Sequence, residues 1–278
     1  MPGAILKAGP VAFFLFGLIF LSSCASKQST KSKQAALYFG AGTQSLINKS
    51  YTEALTNLLK ANELEPDNSD IVNNLGMAYY FKDQKDLAIQ HLQRALVINN
   101  KNSDARTNLA SIYLKEGNVS QAQKLYKEVL KDLTYDKQAR TYYNLGIIEL
   151  ENKKNLDTAD KLFQLSLKED ENYCPSYFQM GIINYNRSRF SEALRNFKEA
   201  TMGTCNDAPA AHYYQALSLI KLKKFTEARV KLDEVDVRFK KSIFAVKART
   251  KLIEINELEL TPDNQSFQAS KASETPDF

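Results

Sequence analysis

The chain is poor in the side chains that most often carry chemistry. Among 278 residues there are two histidines, His91 and His212, and three cysteines, Cys24, Cys174 and Cys205. No HExxH, CxxC, phosphate-binding glycine loop or Ser/His/Asp arrangement is present. These absences argue against an enzyme and leave no catalytic residue, metal site, cofactor or small-molecule substrate to assign. A membrane-spanning helix is missing as well: the apolar stretch Val11–Leu21 has eleven residues, where a span needs ~20. The formal net charge of +5 is too mild to argue for nucleic acid.

What is present starts with that stretch. Lys7 precedes it, and its length is that of a signal-peptide core. It closes on Leu21-Ser22-Ser23-Cys24, which resembles the lipobox of bacterial lipoproteins: an apolar residue, two small ones, then cysteine. Small residues let the backbone fit the peptidase, and the thiol carries the diacylglycerol. The resemblance implies a signal peptide over 1–23 and lipidation of Cys24, with an ordinary secretory leader as the alternative. Ala25, where an Asp would favour the inner membrane, implies anchoring to the outer membrane, facing the periplasm. Each buried acyl CH₂ contributes ~0.8 kcal/mol, so several chains on one cysteine hold firmly. Ser26–Lys33 is polar and basic with no apolar period, so 24–34 is expected to be a flexible tether.

A repeat governs the rest. Aligned on a small residue, Gly42, Gly76, Ala110, Gly146, Gly181 and Ala216 follow one another at steps of 34, 34, 36, 35 and 35. Twelve residues on come Ala54, Ala88, Ala122, Ala159 (one late), Ala193 and Ala228; four further stand Leu58, Leu92, Tyr126, Phe163, Phe197 and Leu232. This resembles the tetratricopeptide repeat, a helical hairpin of ~34 residues. The resemblance covers 35–241 and departs from the family at Ser45, where tyrosine is usual, and around Lys153-Lys154-Asn155, where residues are inserted. It implies an all-α fold, a right-handed α-solenoid of about six repeats. One hairpin cannot bury its apolar face alone, so the last repeat needs a cover. Ile243, Phe244, Val246, Ala248, Leu252, Ile253 and Ile255 recur at helical spacing, and a C-terminal capping helix is expected over 242–260. Residues 261–278 are polar, contain Pro262 and Pro276, and read as a disordered tail.

In this family the first helix of each hairpin, helix A, lines a concave face. The positions that usually face it fall on Phe39, Leu46, Met77, Tyr80, Phe81, Tyr143, Ile147, Phe178, Ile182, Tyr185 and Tyr213. An apolar, aromatic strip of that extent implies a groove that binds a protein partner, tight curvature being the alternative. The family's carboxylate clamp needs Lys and Asn here; Phe39, Asn73, Thr107 and Tyr143 occupy the first of those turns, so no clamp is evident. The expected ligand is an extended or amphipathic segment with apolar anchors. Residues 221–251 hold eleven Lys or Arg against four Asp or Glu, either an acidic-partner surface or a solvated face.

Leader, lipobox, basic tether and six repeats together resemble the PilF/PilW/Tgl family of type IV pilus biogenesis. That family implies a pilotin, an outer-membrane lipoprotein assisting the pilus secretin, and so a secretin or other envelope protein on the concave face. The alternative is an NlpI-like adaptor that scaffolds peptidoglycan hydrolases or proteases. In the repeat register Cys174 opens helix A of repeat 5 and Cys205 lies just past its helix B. The helices run antiparallel, so these ends share an edge, and the pair is expected to form a disulfide; two free thiols are the alternative.

Overall fold

In the computed structural model the described residues are 30–259. The leader, Cys24, the first part of the tether and the tail lie outside them. Within them the chain is helical throughout and contains no strand. It forms two compact units that divide between Leu133 and Thr134.

The first unit holds three hairpins: α1 (30–47) with α2 (Tyr51–Leu64), α3 (Ser69–Phe81) with α4 (Lys85–Ile98), and α5 (Ser103–Lys115) with α6 (Val119–Val129). The second holds three more: α7 (Gln138–Ile147) with α8 (Leu156–Glu169), α9 (Cys174–Asn186) with α10 (Phe190–Glu199), and α11 (Pro209–Lys221) with α12 (Phe225–Arg238). Helix α13 (Ile243–Glu259) closes this unit against α11 and α12.

Each hairpin is built on one crossing. The six large residues read from the sequence, Leu58, Leu92, Tyr126, Phe163, Phe197 and Leu232, are fully buried, as are the six alanines four residues before them. Each packs where helix A carries Gly or Ala, because the two backbones approach too closely for a larger side chain. At Gly181 an added Cβ would lie 2.5 Å from a ring carbon of Phe197. Tyr126 is the one polar member of the set, and its hydroxyl lies 2.9 Å from Ser111 Oγ.

A second regularity concerns the turn from helix A to helix B. In all six hairpins one residue there has positive φ: Lys49, Asp83, Gly117, Lys154, Ser188 and Lys223. The amide after it reaches back to close the end of helix A, as in Ser50 N–H to Ser45 O at 2.8 Å and Gln84 N–H to Tyr79 O at 2.9 Å. This left-handed helix stop favours glycine, yet five of the six seats hold another residue.

Two expectations are corrected. The tether ends earlier than 34, because backbone 30–34 is already helical. Nothing in Lys31-Ser32-Lys33-Gln34 breaks a helix. Ser32 also hydrogen-bonds the Glu65 carboxyl, which lowers its pKa, and Ala35 is fully buried. The insertion in repeat 4 shows itself before Lys153: Ile148–Asn152 form a π-helical turn at the end of α7. A wider turn absorbs an extra residue without breaking the helix. The closing bond there runs from Asn155 N–H to Glu149 O, one residue longer than in the other hairpins.

Candidate functional site

The A-helix positions are half-buried in both units, and a residue of this kind packs by one side and offers the other. In the first unit Phe39 and Leu46 rest on Leu58 and Leu75, while Met77 and Tyr80 rest on the core around Leu92 and Leu109. Lys115 places its ammonium 5.2 Å from the centre of the Tyr80 ring. Asparagines bridge neighbouring A helices beneath them. Asn74 donates to Thr43 Oγ1 at 2.8 Å, and Asn108 donates to Asn73 Oδ1 at 3.0 Å. Asn73 and Thr107 are buried and so belong to the supporting layer.

In the second unit Tyr143 and Ile147 pack on Phe163 and Ile183, and Phe178, Ile182 and Tyr185 follow on α9. Aromatic rings continue from there. Phe178 lies 5.7 Å from Phe197 and 5.9 Å from Tyr214, and Tyr185 lies 5.4 Å from Phe190 and 5.9 Å from Tyr214, centre to centre. Burial raises the phenol pKa of Tyr143 and of Tyr185, so both remain neutral donors at physiological pH.

Two of the expected groove residues stand elsewhere. Tyr213 is 8% exposed and covered by α13, its ring 5.6 Å from Phe244; it is core. Phe81 is 42% exposed but sits at the loop edge, stacked on Tyr51 at 4.7 Å and 10°. Phe81 is the last residue of α3, where the helix gives way to the turn into α4.

Two cavities open in the second unit. One, about 310 Å³, lies among Tyr143, Pro175, Phe178, Ala208, Ala211 and the Cys174–Cys205 pair. The two cysteines are joined there as a disulfide with Cα atoms 6.3 Å apart. Cys174 starts α9 beside Pro175, which suits a first turn, and Cys205 ends the short 3₁₀ turn Gly203–Cys205 after α10. The other cavity, about 360 Å³, lies between α9, α11 and α13. Neither the A-helix strip nor these cavities holds a His/Cys/carboxylate cluster, and no such metal-holding group occurs among the described residues.

The basic region is partly neutralised by carboxylates within it and beside it. Arg238 binds Asp207 at 2.9 Å, Lys231 binds Glu234 at 2.6 Å, Lys224 binds Glu227 at 3.0 Å, and Arg249 pairs with Asp236. Buried His212 lies between Asn206 O, 2.9 Å from Nε2, and Glu234, 3.4 Å from Nδ1. Burial lowers its pKa, only partly opposed by Asn206 and Glu234.

Family models for the tetratricopeptide repeat match residues 50–103 and 82–143. Photosystem I assembly protein Ycf3 of Prochlorococcus marinus (strain MIT 9211) is 30% identical over 133 residues, 45% of this chain and 76% of that protein. Type IV pilus assembly protein PilF of Pseudomonas aeruginosa is 23% identical over 172 residues, 62% of this chain and 67% of that protein. The solved structure of Pseudomonas aeruginosa pilF matches with a TM-score of 0.65 at 18% identity, covering 80% of this chain and 99% of that one. That of PilW, a widely conserved type IV pilus biogenesis factor, matches at 0.64 and 14% identity, covering 77% and 97%. At these identities the structural likeness is one of fold.

Proposed function

Because the chain belongs to the tetratricopeptide-repeat family, we propose that it is a non-enzymatic, lipid-anchored scaffold that assists assembly of the type IV pilus secretin in the outer membrane. The observation that carries the scaffold role is, within each unit, the set of half-buried Phe, Tyr, Ile, Leu and Met side chains on its A helices. Its members are fixed in place by the core yet keep one face free, so a partner loses little of their freedom on docking. The pilus is favoured over other envelope machines by the likeness to PilF and PilW.

In this reading acyl chains on Cys24 hold the protein at the periplasmic side of the outer membrane. The repeats capture secretin subunits through apolar anchors and release them into the ring. Stapling by Cys174–Cys205 keeps hairpin 5 closed in an oxidising compartment. The test is a deletion strain scored for SDS-resistant secretin multimers and surface pili. Both should be lost, and both should return with the wild-type chain but not with Cys24→Ala. Normal multimers in the deletion strain would end the pilotin reading; a cell-wall defect in their place would favour the hydrolase adaptor.

A further inference from the structure

The cavity between α9, α11 and α13 differs from the rest of the A-helix strip. Its walls are largely apolar, formed by Tyr185, Leu217, Ile220 and Ile255, and three charged side chains, Lys221, Lys251 and Glu254, share the lining. Lys251 is paired with Glu254 on the next turn of α13. Lys221, in the last turn of α11, has no ion-pair partner among the described residues. At about 360 Å³ the space is large enough for one aromatic or aliphatic side chain. The walls are firm: Ile255 is fully buried, and Leu217 and Ile220 lie against the core of Leu219, Leu232 and Ala248.

An apolar pocket bordered by an unpaired cation has two requirements of its occupant. A side chain must fill the space, and a carboxylate must stand beside it, one or two residues away along an extended segment. We infer that this cavity receives a bulky apolar residue of the partner chain whose neighbour is Asp or Glu, with Lys221 as the group that selects the acid. The inference rests on the scaffold reading and refines it: the anchors expected all along the strip are apolar, and at this end the anchor carries an adjacent negative charge.

The experiment uses the full chain and two fluorescein-labelled hexapeptides, Ser-Gly-Phe-Asp-Gly-Ser and its Asn counterpart, in fluorescence anisotropy at low and at 0.5 M salt. The Asp peptide should bind about fivefold more tightly, the scale of one exposed ion pair, and the advantage should vanish at high salt. Lys221→Gln, a surface change that leaves the melting temperature unaltered, should remove the preference while leaving the Asn peptide as it was. Leu217→Asn should weaken both peptides. Equal affinity of the wild-type chain for the two peptides, or a preference that survives Lys221→Gln, overturns the inference. Binding that appears only when residues 260–278 are removed would put this chain's own acidic tail in the cavity and overturn it too. Secretin multimers lost on deletion alongside a failed peptide test would leave the scaffold reading standing and remove only this refinement.

Discussion

Replacing Gly181 by alanine probes the crossing that every hairpin shares. The new Cβ would lie 2.5, 2.6 and 2.9 Å from three ring carbons of Phe197, where unstrained contact begins near 3.4 Å. The ring would have to retreat by almost 1 Å. It has nowhere to go, being fully buried with Phe178 at 5.7 Å and Tyr214 stacked at 5.4 Å. Overpacking of this kind costs ~1–3 kcal/mol. Alanine returns up to ~1 kcal/mol through its better helix propensity. The net loss is about 1–2 kcal/mol, a fall of roughly 2–8 °C in Tm for a chain of this size. Circular dichroism melts read it directly. Gly40→Ala is the control: nothing stands within 4 Å of the added atom, so only the propensity gain remains. Phe197→Leu in the Gly181→Ala background recreates the Ala216–Leu232 pair of repeat 6 and should be less damaging than the two single changes added together. A Gly181→Ala chain as stable as the wild type, or strictly additive effects, would refute the close-crossing argument.

Further outcomes follow from the turns, the disulfide and the histidines. Lys49→Gly and Ser188→Gly, at positive φ, should each raise stability by about 0.5–1 kcal/mol in denaturant melts, left-handed strain outweighing glycine's entropy. Alkylation with and without reductant should find Cys174 and Cys205 protected until reduced. With a sequence separation of 31, reduction should cost about 3–4 kcal/mol on the chain-entropy model, seen as faster proteolysis of the second unit alone. Burial holds His91 and His212 below the ordinary imidazole pKa, so the folded chain binds these protons less readily than the unfolded chain. Their contribution is complete above pH ~6.5 and shrinks as pH falls below that value, so the urea midpoint should drop between pH 7.5 and 5, and less so in His212→Gln.

The crossing was legible in the amino-acid sequence because it depends on side-chain size alone: Gly or Ala facing a large apolar residue at a constant interval is visible without coordinates. The A-to-B turns were not. Their shared feature is a backbone angle, and with Lys, Asp and Ser in glycine's seat only Gly117 carried the sign. The extra residue of repeat 4 was countable, but whether a loop or a helix would absorb it depended on packing, and a π-helical turn did. Most A-helix candidates do lie half-buried on their helices. Tyr213 and Phe81 fail for different reasons: Phe244 on α13 covers Tyr213, whereas Phe81 ends α3 and stacks on Tyr51 of α2 while staying exposed, and periodicity within a helix reports neither. The cap shows the same limit. Phe244, Ala248, Leu252 and Ile255 face the core as expected, whereas Ile243, Val246 and Ile253 are exposed on its other flank.

If the A-helix face holds the secretin, a photocrosslinker placed on that face should capture it. p-Benzoylphenylalanine in place of half-buried Tyr185 keeps an aromatic ring at the face, and the same residue in place of Val97, 86% exposed on α4, serves as the comparison. On irradiation of living cells position 185 should give an adduct that mass spectrometry identifies as the secretin, and position 97 should give none. Secretin adducts from position 97 alone, or adducts from position 185 that contain only cell-wall hydrolases, would contradict it.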